Sequence, residues 1–234
     1  MEFIKAKDIE RFNNWSVLIY SEPGKGKTSM VKSLQGRTLL LSADGMYHVL
    51  AELDNVDIVT IDPKKSHDEL TNFLKFVFEH HDKYDNIVID NLSTYQKMWL
   101  NERARETTSG NPEIQHYAII DRIMFDTILS LKKLNKNLLI FAHEKQVEIV
   151  RQSGGTYTQF QPDLRNLDAI MGITPIVGRL IIFANKDTNE DERIIVLQPT
   201  QATRAKDQLI GDLPTIGQME LLPKLQKTNL KEND

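Results

Sequence analysis

An α/β fold with a largely parallel sheet is predicted by three observations. Short β-branched runs alternate with amphipathic stretches of helical length. Trp15–Tyr20 and Asn86–Asp90 have the unbroken apolar character of buried strands. The late segments Arg179–Ala184 and Arg193–Gln198 face each other across the charged turn Asn185–Glu192, a hairpin by pattern.

The elements follow in order. Trp15–Tyr20 is the first strand, and Lys27–Leu34 a helix ended by Gly36. Thr38–Leu41 and Val56–Ile61 are the next strands. Ser66 with Glu69 forms a capping box for a helix running to about His81. After the strand Asn86–Asp90, helical stretches start near Ser93 and Glu113. In the second of these Ile119, Ile120, Ile123, Met124, Ile128 and Leu131 repeat at helical spacing. Asn137–Ala142 is a further strand. Residues 143–172 are polar, glycine-bearing and weakly periodic, and read as a long functional loop. Residues 1–223 form one domain by this reading, and 224–234 a polar tail.

Composition narrows the classes. At 234 residues the chain can bury a substantial core. No apolar run approaches the roughly 20 residues of a membrane span. The start, Met1 to Lys5, lacks the basic-then-apolar order of a secretory signal, and the absence of cysteine fits a reducing cytoplasm and excludes thiolate metal sites. His80-His81 is the only adjacent histidine pair and sits in a polar helix end, which argues against a histidine metal site. A net charge of −4 argues against a broad basic surface, so nucleic-acid contact would be local or built by several copies.

Between strand and helix, Ser21 to Thr28 resembles a Walker A phosphate loop. Glu22, Pro23, Gly24, Lys25, Gly26, Lys27, Thr28 and Ser29 are the candidate nucleotide contacts. Small residues let the amides of Gly24–Lys27 converge on phosphate oxygens at a helix N-terminus. Lys27 reaches the β/γ-phosphates, and Thr28 can ligate Mg²⁺. The motif's first glycine is Ser21 here, which fits if its dihedrals are not left-handed. Tyr84–Asp90, an apolar strand ending in a carboxylate, looks like Walker B, and Asp90 joins Thr28 as a candidate metal ligand. ATP and Mg²⁺ are the expected ligands.

The whole chain is similar to phage-encoded single-domain RecA-like P-loop ATPases, the Sak type of single-strand annealing or recombination protein. The similarity spans roughly residues 3–215. It implies a RecA-like core and ATP-dependent binding of single-stranded DNA in a host-cell cytoplasm. It also implies self-assembly into a ring or filament and cooperation with a single-strand-binding protein. By this resemblance Asp44, just past the second strand, positions the attacking water, with Glu52 as a neighbouring alternative; a turn-forming Asp-Gly is the other reading of Asp44. His143 and Glu144 fall on the positions that sense the γ-phosphate. The catalytic set is then Lys27, Asp44, Asp90 and Glu144. Arg204 and Lys206 match a basic pair that reaches ATP on the neighbouring subunit. The two DNA loops correspond to Asn101–Pro112, with Arg103 and Arg105, and to Lys145–Asn166, with Lys145, Arg151, Tyr157, Phe160 and Arg165, cations and aromatics of the kind that bind single strands.

Two rivals stay open: a nucleotide or nucleoside kinase, and a nucleotide-gated module acting through a protein partner. The 143–172 stretch lacks the arginine cluster of a kinase lid. Asn185-Lys186-Asp187 only imitates a guanine-reading motif, and the late strands do not read as the helical lid of an AAA+ protein.

Overall fold

A computed structural model describes residues 5, 14–185, 190–211 and 213–230. Lys186 and Asp187, the Asn185–Glu192 turn from residue 186 to 189, and Asp212 lie outside the described residues. The strands are β1 (Ser16–Ser21), β2 (Thr38–Ser42), β3 (Val56–Thr60), β4 (Asn86–Asp90), β5 (Asn137–Val150), β6 (Thr156–Pro162), β7 (Ile176–Asn185), β8 (Glu190–Val196), β9 (Lys206–Asp207) and β10 (Thr215–Gly217). The α-helices are α1 (Ser66–His80), α2 (Leu92–Arg105), α3 (Ile114–Lys132), α4 (Leu167–Ile173) and α5 (Leu221–Leu230).

The sheet order is β10-β8-β7-β1-β5-β4-β2-β3. Strands β7, β1, β5, β4, β2 and β3 run parallel, whereas β8, β10 and β9 add antiparallel pairs at the late edge. The alternating β-and-helix pattern thus produced the expected α/β sheet, and β7–β8 is the expected hairpin. Strands β1, β2 and β4 are buried at every position. They carry apolar side chains on both faces because both faces are covered. On one face Leu18, Leu41, Ile89 and Ile140 meet Phe73, Trp99, Met124 and Ile170 from α1 to α4. On the other, Ile19, Val88 and Phe141 meet Met30, Val31, Leu50, Leu221 and Leu225.

Four elements differ from the sequence reading. The stretch 143–172 is not a loop: β5 continues to Val150, turns through Gly154 and Gly155 (both at positive φ), and returns as β6. Its period was hidden because both faces of the distal ladder are polar or half-exposed, so nothing marks an inside. The helix after the phosphate loop is a tight 3-10 stretch, Thr28–Ser33. Ser66 does not cap α1. Its hydroxyl donates to the buried Glu102 carboxylate of α2 at 2.5 Å, and that carboxylate also takes the His67 N–H, placing a negative charge at the α1 N-terminus. Finally, the polar tail does not begin at Lys224. Leu225 and Gln226 are buried within α5, and the Gln226 amide exchanges two 3.0 Å hydrogen bonds with the Gln35 backbone. No described helix is long and apolar enough to cross a membrane.

Candidate functional site

The carboxyl ends of β1, β5, β4 and β2 are level, with Ser21 beside His143 and Ser42 beside Asp90. In an open parallel sheet this rim is where ligands sit. Here it borders a cleft of about 560 Å³ lined by Pro23, Gly24, Gly26, Lys27, Thr28 and Ser29, by Asp44, Met46 and Val49, and by Asp90 and His143.

The loop from Ser21 to Lys27 curls around its own lysine. Lys27 Nζ, almost fully buried, donates to Ser21 O at 3.1 Å, Ser21 Oγ at 2.9 Å and Glu22 O at 3.1 Å. Burial lowers its pKa, opposed by the fields of Asp90, Asp44 and Glu144. Ser21 is not among the left-handed residues, so serine fills the first-glycine position without strain, and its hydroxyl becomes a lysine acceptor. Gly26 sits at φ +100°, and a Cβ there would stand 2.8 Å from Gln218 Nε2. Lys25 pairs with Glu22 at 3.5 Å on the outside of the loop.

Thr28 Oγ1 donates to Asp90 Oδ2 at 2.5 Å. A hydroxyl and a carboxylate converging at a helix N-terminus are a hard-oxygen donor pair, which suits Mg²⁺. Burial raises the Asp90 pKa to about 6, although the Thr28 hydrogen bond favours the anion.

Asp44 closes the turn and also lines the cleft. One carboxylate oxygen accepts the Met46 N–H at 3.0 Å, closing the Asp-Gly turn, and the other accepts the Asn91 amide at 2.8 Å. Glu52 is exposed and lies outside the cleft lining. Asn91 is fully buried; the same Nδ2 lies 3.3 Å from His143 Nε2, while its Oδ1 caps α2 by accepting the Thr94 N–H at 2.8 Å. Thr94 Oγ1 is also 3.3 Å from His143 Nε2. His143 therefore receives at Nε2, and its Nδ1 is buried with no partner among the described residues. Burial, then Lys27 and Lys97, lowers its pKa, which favours the neutral ring, opposed by Asp44 and Asp163.

Glu144 does not join this cleft. Successive residues of a strand face opposite sides. Glu144 accepts a bidentate pair from Arg179 at 2.7 and 3.1 Å, and the guanidinium lies 3.5 Å over the Phe160 ring. The pair is almost wholly shielded (4% and 16% exposed side chains), so Glu144 anchors the hairpin to β7 and lies outside the cleft lining. Tyr20 Oη binds the Phe160 and Arg204 carbonyls at 3.0 and 2.8 Å from the same side.

The other expected residues are dispersed. Arg103 lies within α2, stacked on Trp99 and paired with Glu102 and Glu106. Arg105 is exposed near the Pro63 carbonyl. Arg165 is held by Asp121 at 2.8 Å and stacks on Tyr117. Phe160 is packed under Arg179. On the hairpin Lys145 is exposed, and Arg151, at the tip, lies 5.3 Å over the Tyr157 ring. Arg204 pairs with Asp168, and Lys206 donates to the Met171 and Gly172 carbonyls at the end of α4, so both basic residues are engaged within the chain.

Sequence reasoning missed Asn91, Gln218 and Arg193. Asn91 had a signal, a polar residue directly after the acidic strand end. Gln218, whose Nε2 donates to Gly26 O at 2.5 Å, and Arg193 come from the late antiparallel edge and carry no motif.

A family described as an AAA domain matches residues 13–209. No curated protein matches the chain.

Proposed function

The chain belongs to the AAA-domain family and is an AAA-like P-loop ATPase domain; from that premise we propose that it binds ATP with Mg²⁺ and hydrolyses it slowly, as a switch on single-stranded-DNA binding in recombination. The observation that carries the switch is the continuity of β5. One strand holds His143 in the nucleotide cleft and, two residues on, becomes the hairpin that presents Lys145 and Arg151.

In this mechanism the amides of Gly24–Lys27 and the Lys27 ammonium hold the phosphates. Thr28 and Asp90 would hold Mg²⁺, which supplies charge shielding on the phosphoryl oxygens. Asp44 takes the proton of the attacking water, and Asn91 fixes its carboxylate. His143, neutral and bonded through Asn91 to Asp44, links the phosphate end of the cleft to β5. The ordinary charge of one copy makes DNA affinity weak, and repetition along an oligomer adds it up. Arg204 and Lys206 would complete a neighbour's site only after leaving Asp168 and α4.

A second reading is a nucleotide-gated module with little hydrolysis. It is favoured by Asp44, one methylene shorter than glutamate and already holding the Met46 N–H. The test is Mg²⁺-dependent ATP turnover with and without single-stranded DNA, beside Lys27→Ala. Turnover stimulated by DNA and abolished in the variant supports the recombination reading. Turnover indifferent to DNA refutes it and leaves the gated module or a kinase.

A further inference from the structure

We propose that Arg193 is a phosphate-contacting cation supplied in cis from β8 and steered to the loop by Gln218; this rests on the nucleotide-binding reading above. Three observations converge. The first is position. The Gln218 N–H donates to Arg193 O at 2.9 Å, and the Gln218 side chain donates to Gly26 O, so β8 is tied to the last turn of the phosphate loop. A Cβ on Gly26 would lie 3.5 Å from both Cδ and Nε of Arg193, which puts the guanidinium-bearing end of that side chain against the loop.

The second is availability. Arg193 is exposed, and its guanidinium has no hydrogen bond or ion pair among the described residues. By contrast Arg37, Arg103, Arg165, Arg179 and Arg204 each meet a carboxylate. A free guanidinium beside a cradle of amides is suited to two-point contact with phosphate oxygens.

The third is charge. Among the described residues Lys27 is the one lysine or arginine lining the cleft, against the carboxylates of Asp44 and Asp90. A nucleotide polyphosphate brings several more negative charges. Lys25 is paired with Glu22, and Arg204 and Lys206 are held elsewhere. Arg193 is the arginine placed to offset that charge without a second subunit.

The bland alternative is that the Arg193 stem merely covers Gly26. Binding of MgATP and MgADP to the full chain, measured beside nucleotide-free melting, separates the two. Arg193→Gln should weaken both nucleotides about tenfold with an unchanged nucleotide-free melting temperature. Arg193→Lys, which keeps the charge and loses the fork, should fall between. Wild-type affinity in both variants, or a lowered nucleotide-free melting temperature with unchanged affinity, overturns the proposal and leaves nucleotide binding intact. A wild-type chain that binds neither nucleotide overturns both readings together.

Discussion

The Asn91 side chain donates to Asp44 Oδ2 at 2.8 Å across 47 residues of sequence, joining the ends of two strands that also meet at Ser42 and Asp90. Because Asn91 Nδ2 also reaches His143, the Asp44 carboxylate and the imidazole carried by β5 share one amide. Displacing Asn91 would cost both of them a partner.

Asn91→Ser tests this directly. Serine still caps α2, but the bridge is gone, so stability should fall by about 1–2 kcal/mol. Turnover should drop about 10- to 100-fold with nucleotide affinity nearly unchanged. Equal losses in affinity and rate would show that Asn91 shapes the cleft instead.

Asp90→Asn should make the nucleotide-free protein more stable at neutral pH while removing Mg²⁺-dependent affinity. The buried carboxyl has its pKa raised from 3.8 to about 6. Below 3.8 the group is protonated in folded and unfolded chains alike, and it carries no penalty. As pH rises through 6 the folded state must hold a buried anion, and stability falls. The variant's advantage should therefore emerge between pH 4 and 6 and plateau near 1–3 kcal/mol above it, an order-of-magnitude figure. Denaturant melts across pH check it; an advantage that shrinks as pH rises contradicts the assignment.

Arg179→Met should be strongly destabilising, by about 3 kcal/mol, because it leaves the Glu144 carboxylate buried without a partner. The double variant with Glu144→Met should recover much of that loss. Equilibrium unfolding of the four forms gives the coupling, and an additive double variant would mean that the pair is not the anchor.

Lys145→Glu with Arg151→Glu should remove the DNA stimulation of turnover while sparing DNA-independent turnover. Each cation lost should also flatten the salt dependence of single-strand binding by about 0.7. DNA affinity and salt slope unchanged from wild type would take the hairpin out of the DNA interface.

How much was legible follows from where each residue gets its instructions. Strands β1 and β4 were readable because covering both faces demands unbroken apolar runs, and the phosphate loop was readable because its geometry needs glycine, lysine and threonine at set spacing. Lys145 to Phe160 gave no such demand: its strands pair mainly with each other, with polar groups on both sides. Ser66 looked like a helix cap because its better partner, Glu102, is 36 residues away. Glu144 falls beside His143 on positions that resemble γ-phosphate sensors, and alternation along one strand sends the two side chains apart. Gln218 and Arg193 touch Gly26 only because β10 pairs with β8, a relation no local pattern announces.

Strand β5 is 14 residues long and is clamped along its first half between β1 and β4. Its second half is paired with β6, is held at its base by the Glu144–Arg179 pair, and extends roughly 20 Å beyond the clamp. Such a beam behaves as a cantilever pivoting near His143. A tilt of about 5° at the pivot, within the ordinary scatter of strand twist, carries the Arg151 tip by nearly 2 Å, roughly the margin between a hydrogen bond and none. The nucleotide end could thus govern the far end by leverage, with no unfolding of any segment between them.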